Sequence, residues 1–246
     1  YIHGGVSRNV VEDIANIELR PTFVGIVDDS ALGEDVVKKL KNHKVNTDYV
    51  MTMPGGMGTW LAVFDHNGDL AGSISQRPNL MPILGLLEEK GDEIFANADS
   101  VIVEVDMDKD IIKKVVTLAK QYNKKLYGVV SNMSIAVERR DFLKHFDCFI
   151  CNQLEAGMLF MEDYADKSPE ELRDILSKRV ILGKIPAMIV TMGGNGAVYA
   201  DVNGEKGICP PQRVRVKDTT GAGDAFCAGV ASGLTYGKTL REAGGI

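Results

Sequence analysis

The chain lacks several things that would place it quickly. No run approaches the roughly 18 apolar residues of a membrane span, and no stretch reads as a signal peptide. It has no surplus of positive charge: the formal net charge is −6, so a broad basic footprint for nucleic acid is not expected. Cysteine is sparse, with four in 246 residues. Cys148 and Cys151 form one Cys-x-x-Cys, but no second such pair and no His pair accompanies it. The pair lies in the apolar run Asp147-Cys148-Phe149-Ile150-Cys151, so buried core thiols are expected, and a reducing cytoplasm is the default location. Gly-x-x-x-x-Gly-Lys-Ser/Thr is missing, which excludes a Walker A loop. No Gly-x-Gly-x-x-Gly follows the first strand with an acidic residue about 20 further on, which argues against a dinucleotide-binding oxidoreductase. Repeats and low-complexity tracts are also absent.

What is present is an alternation of strands and helices. Val10, Val11, Ile14 and Ile17 form the apolar stripe of a helix that follows Gly4-Gly5. Thr22 to Val27 reads as a strand, and Ser30 as the N-cap of a helix reaching about His43. From about 45 to 75 the character changes. β-rich runs at Thr59–Phe64 and Leu70–Ile74 flank Asn67-Gly68, a strong hairpin signal. This stretch is expected to be a small β insertion apart from the main sheet, with the single tryptophan, Trp60, in it.

Alternation then resumes. Ser100 to Val105 is an apolar strand broken only by Glu104. Lys109–Asn123 is an amphipathic helix, and Leu126–Ser131 the next strand. A helix is expected near Ser134–His145, then a strand at Cys148–Cys151. Ser168-Pro169-Glu170-Glu171 is a helix start with a cap, a proline and carboxylates near the dipole. Ala187–Met192 is a strand ending in Gly193-Gly194, and Ala197–Ala200 with Gly207–Cys209 suggests a return hairpin. Such alternation implies a mostly parallel sheet covered by helices on both faces. Ligands on such sheets bind at the carboxyl ends of strands, where the polar and glycine-rich clusters here collect.

One of those clusters is Lys217-Asp218-Thr219-Thr220-Gly221-Ala222-Gly223-Asp224-Ala225-Phe226. Before it, Val214 and Val216 alternate with arginines as in a strand; after it, Phe226, Val230, Ala231 and Leu234 recur at helical spacing. A glycine-rich turn opening into a helix N-terminus favours an anion, usually phosphate. Asp224 stands where the anion would dock. Either it caps the helix, or it takes a proton from a hydroxyl that attacks the phosphate.

These positions together resemble the PfkB/ribokinase family of carbohydrate and nucleoside kinases over nearly the whole chain. The strongest match is Asp218 to Phe226. Asn152-Gln153-Leu154-Glu155 fits the family's Asn-x-x-Glu motif, Thr191-Met192-Gly193-Gly194-Asn195-Gly196 its nucleotide loop, and Gly4-Gly5 with Asn9 its sugar motif. The resemblance implies one ribokinase-like α/β domain over 1–246, a three-layer α/β/α sandwich with a mostly parallel central sheet and a β lid at about 45–75. It also implies that the natural protein continues beyond both ends, since the family's first strand and C-terminal segment are not in this sequence.

The same resemblance assigns roles. Asp224 would be the general base, with Gly221, Ala222 and Gly223 the anion hole. Thr191, Gly193, Gly196 and Thr219 would meet the nucleotide, ATP. Asn152 and Glu155 would serve Mg²⁺, largely through water; their alternative is a helix cap with a first-turn carboxylate. Asp218 and Thr220 would be a K⁺ pair. Gly4, Gly5, Asn9 and Asp106 would hold the acceptor, although Asp106 could instead cap the helix ahead of Lys109. Arg8 is a solvated helix residue or a substrate contact. The Gly4–Val10 segment looks most like pseudouridine kinases, so the expected substrate is pseudouridine or a related ribonucleoside. The alternatives are ribokinase, fructokinase or a sugar-phosphate kinase, for which Arg77 is the visible cation, and a non-catalytic sensor of sugar or nucleotide. A cytoplasmic enzyme acting on a small molecule is expected, without nucleic acid or membrane, with a homodimer through the lid as an option.

Overall fold

A computed structural model of the chain describes residues 5–17, 19–64, 70–211 and 222–245, with the backbone alone for 59–64 and 70–76. Helix α1 (Val6–Asn16) is followed by β1 (Thr22–Val27), α2 (Ala31–Asn42) and β2 (Asn46–Thr52). A hairpin of β3 (Thr59–Phe64) and β4 (Leu70–Gln76) leads to α3 (Pro82–Ala96). Then come β5 (Ser100–Glu104), α4 (Lys109–Gln121), β6 (Lys125–Val129), the short α5 (Met133–Ala136) and a 3₁₀ helix at Val137–His145. The chain continues through β7 (Cys148–Asn152), α6 (Gln153–Phe160), α7 (Pro169–Gly183), β8 (Ala187–Thr191), β9 (Ala197–Asp201), β10 (Lys206–Cys209), α8 (Ala222–Thr235) and α9 (Leu240–Ala243).

Among the described residues six strands form the central sheet, in the order β10-β9-β8-β7-β6-β5. β5 to β8 run parallel, and β9 and β10 return antiparallel, as the Ala197–Cys209 segment suggested. The period of two along each strand sends alternate side chains to opposite faces. On one face Phe149, Cys151, Met188 and Val190 join the buried residues of α3, α4, α6 and α7. On the other, Cys148, Ile150, Ile189 and Tyr199 pack against Val230 and Ala231 of α8 and Ala243 of α9. The result is helices on both faces of a mostly parallel α/β sheet.

The ends of the helices follow local chemistry. Ser168 and Glu171 form a capping box with Pro169 in the first turn of α7, and Ser30 caps α2 by accepting from Gly33 N. The region expected to be helical from Ser134 to His145 differs: after four α-helical residues it tightens into 3₁₀. Glu138-Arg139-Arg140-Asp141 offers no apolar stripe, and Arg139 is drawn inward, its Nε donating to the Met107 carbonyl at 3.0 Å. The 45–75 stretch also divides. β2 pairs in parallel with β1, whereas β3 and β4 pair with each other. The strand expected at Val214–Val216 lies outside the described residues.

The central sheet ends at β5, and β1–β2 is a separate parallel pair. A cleft of about 430 Å³ lies between them, walled by Val24, Phe95, Val101 and Val103, with Ser7 and Glu104 on its lining. α1 packs across this end of the sheet, between β5 and α8.

Candidate active site

The polar clusters converge at the carboxyl ends of β5 to β8, as expected of a parallel sheet. Asn152 closes β7 and lies in register with Thr191 at the end of β8. Beyond Thr191 the chain turns through Gly193, at φ 55°, and Gly196, at φ 86°. Met192 N donates to Gly196 O at 2.8 Å, and Gly196 N to Gly193 O at 3.1 Å. Only glycine suits position 196, because a Cβ there would lie 2.1 Å from the Cys209 carbonyl oxygen.

Asn152 and Glu155 form a reciprocal capping box. The Asn152 Oδ1 accepts from Glu155 N at 2.8 Å, and Glu155 Oε1 accepts from Asn152 N at 2.9 Å. The expected helix cap is therefore present. The second carboxylate oxygen of Glu155 is not engaged among the described residues, and burial, aided by the negative charges of Asp106 and Asp224, raises the Glu155 pKa.

Asp106 is 6% exposed just past β5. It accepts from Ser131 N at 3.0 Å and Asn132 N at 3.2 Å, tying the end of β5 to that of β6, while Arg77 Nη2 approaches at 3.4 Å. It does not cap the next helix: Asp108 occupies the N-cap of α4. Arg77 follows β4 directly, so the hairpin is anchored to the sheet end through Asp106.

Asp224 lies in the first turn of α8, half-buried, with Ala222 and Gly223 exposed before it. From the other end of the sequence, Asn9 Nδ2 donates to Asp224 Oδ2 at 2.8 Å. Burial raises the Asp224 pKa, and the Asn9 bond opposes that rise. Gly5 is the N-cap of α1. Gly4, Asp218, Thr219, Thr220 and Gly221 lie outside the described residues.

One neighbour escaped the residue-by-residue reading. Glu104 had appeared only as a break in an apolar strand. Its Oε1 accepts from Ser7 N at 2.9 Å and Ser7 Oγ at 2.8 Å. Burial raises its pKa, with Asp106 adding to the rise and the two Ser7 bonds opposing it. A lone carboxylate in an apolar strand was the available signal, since a buried charge needs a partner. Arg8 is not solvated: it is 8% exposed, its Nε lies 4.0 Å from Glu12 Oε1, and its Nε and Nη2 make no hydrogen bond among the described residues. Burial lowers its pKa, with Glu12 opposing.

Cys148 and Cys151 are buried free thiols, and burial pushes both pKa values up. Among the described residues no group of three or more Cys, His, Asp or Glu could hold a metal. Among them, too, no helix is long and apolar enough to cross a membrane.

The model of the pfkB family carbohydrate kinases matches residues 1–245. The chain belongs to this family. It is a pfkB kinase, acting on the hydroxyl of a small-molecule sugar or nucleoside. The pfkB kinase is 34% identical to the guanosine-inosine kinase of Exiguobacterium acetylicum, over 99% of this chain and 80% of that one. It is 24% identical to the pseudouridine kinase of Escherichia coli, over 98% of this chain and 77% of the relative. The ribokinase of Arabidopsis thaliana, solved with ribose and ATP, superposes with a TM-score of 0.82 at 21% identity, covering 98% of this chain and 77% of that one. The pfkB kinase thus has the ribokinase-like fold.

Proposed function

We propose that this kinase transfers the γ-phosphoryl group of ATP to a ribose hydroxyl of a nucleoside, with Asp224 as general base. The observation that carries the proposal is the Asn9–Asp224 bond. It joins the segment that resembles a sugar motif to a carboxylate in the first turn of a helix, where N–H groups favour the phosphoryl group. Asp224 takes the hydroxyl proton as the acceptor oxygen bonds to the γ-phosphorus and the bond to the β-phosphate oxygen breaks, releasing ADP. The N–H groups of Ala222 and Gly223, with those of Gly221, meet the charge on the transferring group.

Gly223 supports this reading in a second way. A Cβ there would meet no atom of the described residues within 4 Å. No packing among the described residues calls for glycine there, whereas close approach of a phosphate does. Mg²⁺ would be served by Asn152 and the free oxygen of Glu155, mostly through water and the phosphates, and would neutralise phosphate charge. The nucleotide would lie along Thr191, Gly193 and Gly196.

The acceptor end is negative. Asp13, Glu104, Glu155 and Asp224 all have raised pKa values, with neighbouring carboxylates contributing to the first three. Arg77 is already turned to Asp106. Such surroundings favour a neutral polyol over a phosphosugar. The 34% identity to a guanosine-inosine kinase, against 24% to a pseudouridine kinase, moves purine ribonucleosides ahead of pseudouridine as the first choice. The β3–β4 hairpin would close over the acceptor as a lid within one kinase domain, and pairing of two lids would give a homodimer. A kinase assay of the full-length protein with ATP and Mg²⁺ tests the reading. Guanosine and inosine should exceed pseudouridine, uridine, ribose and fructose in kcat/KM by at least about tenfold. Faster turnover of fructose 6-phosphate than of any nucleoside would overturn it.

A further inference from the structure

Helix α1 enters the site without a cap of its own. Gly5 occupies the N-cap and offers no side chain, and the first turn has no acidic residue. The leading N–H groups of a helix need acceptors from somewhere. Glu104 supplies one from 97 residues away, taking both the backbone N–H and the hydroxyl of Ser7 on Oε1. Two residues further on, roughly 200° around the helix, Asn9 donates to Asp224. α1 is therefore pinned on opposite sides, to β5 by Ser7 and to α8 by Asn9.

We propose that Glu104 is a positioning residue for phosphoryl transfer: through Ser7 it fixes the depth and rotation of α1, and so holds the Asn9 amide on the Asp224 carboxylate. This rests on the reading of Asp224 as the base. Among the described residues, the ionisable groups that face Asp224 are Asp13 from α1, Glu104 from β5, Glu155 from α6 and Cys227 from its own helix. All of these are neutral or negative, so among the described residues Asn9 is the donor that keeps Asp224 ready to accept a proton. If α1 shifts, that bond is lost and Asp224 holds its proton to higher pH.

The test is a kinetic cycle of Glu104→Ala and Asn9→Ala in the full-length enzyme, with ATP, Mg²⁺ and a nucleoside it turns over. Each single variant should lower kcat about tenfold and move the acid limb of the kcat profile to higher pH. The double variant should be no slower than Asn9→Ala alone. Glu104→Gln keeps an acceptor for Ser7 and should recover most of the rate. Ser7→Ala should shift the acid limb in the same direction by less. Losses that multiply in the double variant, or a lower melting temperature with kcat and the acid limb unmoved, would overturn the proposal. If Glu104→Ala does not fold, an unmoved acid limb in Ser7→Ala overturns it just as well. Substantial turnover by Asp224→Asn would instead remove the base assignment, while the coupling of Glu104 to Asn9 is read by the cycle on its own.

Discussion

The turn after β8 and the junction of α1 with α8 sit at the same end of the molecule and are built from opposite materials. The first is backbone. Its hydrogen bonds close within five residues, Met192 to Gly196, and the strands that carry it are core: Met188, Ile189, Val190 and Val198 are fully buried. The second is side chain. Its bonds join Ser7 to Glu104 and Asn9 to Asp224, across 97 and 215 residues. Burial raises the pKa of the Glu104 and Asp224 carboxylates there, and the donors that hold them oppose the rise. A backbone-built turn is suited to phosphates, which every nucleotide shares. A side-chain-built junction is where one acceptor can be told from another, because each carboxylate can be moved or replaced singly.

The comparison can be broken at several points. The largest effect is expected from Asp224→Asn, which should lower kcat roughly 10²–10⁴-fold with little change in the KM for ATP, measured by steady-state kinetics. Little loss would make the junction structural rather than chemical. Next comes Gly196→Ala. The Cβ meets the Cys209 carbonyl and the residue must hold φ 86°, so the turn should lose about 3 kcal/mol, read as a fall of roughly 5–10 °C in melting temperature. An unchanged melting temperature would mean the turn is not backbone-determined. Asn152→Ala removes the α6 cap, at about 1 kcal/mol of stability. If Asn152 also serves the metal and phosphates, the KM for ATP rises as well; a stability loss alone would assign the residue to capping. The smallest effect is on pH. Asp13, Glu104, Glu155 and Asp224 hold protons more tightly folded than unfolded. Their contribution to stability is therefore present in full below the ordinary carboxylate range near about 4 and is lost as pH rises through the raised values. Melting temperature should be slightly higher at pH 5.5 than at pH 7.5. The exposed carboxylates with lowered values, Glu171, Asp174 and Glu242, oppose this only under stronger acid and are screened by solvent. A melting temperature that falls steadily from pH 7.5 to 5.5 would show that the junction carboxylates are not desolvated in this way.

What was legible in the sequence divides along the same line. Ser30, the Ser168–Glu171 box, the return hairpin from Ala197 and the turn at Gly193–Gly196 are local devices, and each can be read within a few residues. The buried thiols of Cys148 and Cys151 follow from an apolar strand alone. The Ser7–Glu104 and Asn9–Asp224 bonds could not be read, because no local rule relates residues so far apart. For Arg8 the two alternatives, solvated or turned to the substrate, could not be separated locally: a charged residue in a first turn is ordinarily solvated, and only the packing of α1 against its neighbours buries it. The 3₁₀ run at Val137–His145 was missed because Arg139 bonds to Met107, on the far side of α4.

The span of the Asn9–Asp224 bond has a consequence for how the enzyme comes into being. Two contacts made by the first turns of α1 close loops of 97 and 215 residues. Loop closure is an entropic cost that must be met before such contacts contribute anything, and it slows their formation. The turn after β8 can form with its own hairpin, early and alone. Asp224, the proposed base, acquires its Asn9 partner only when the two ends of the described chain have met, so a half-folded chain can carry the turn after β8 long before it holds the proposed site together.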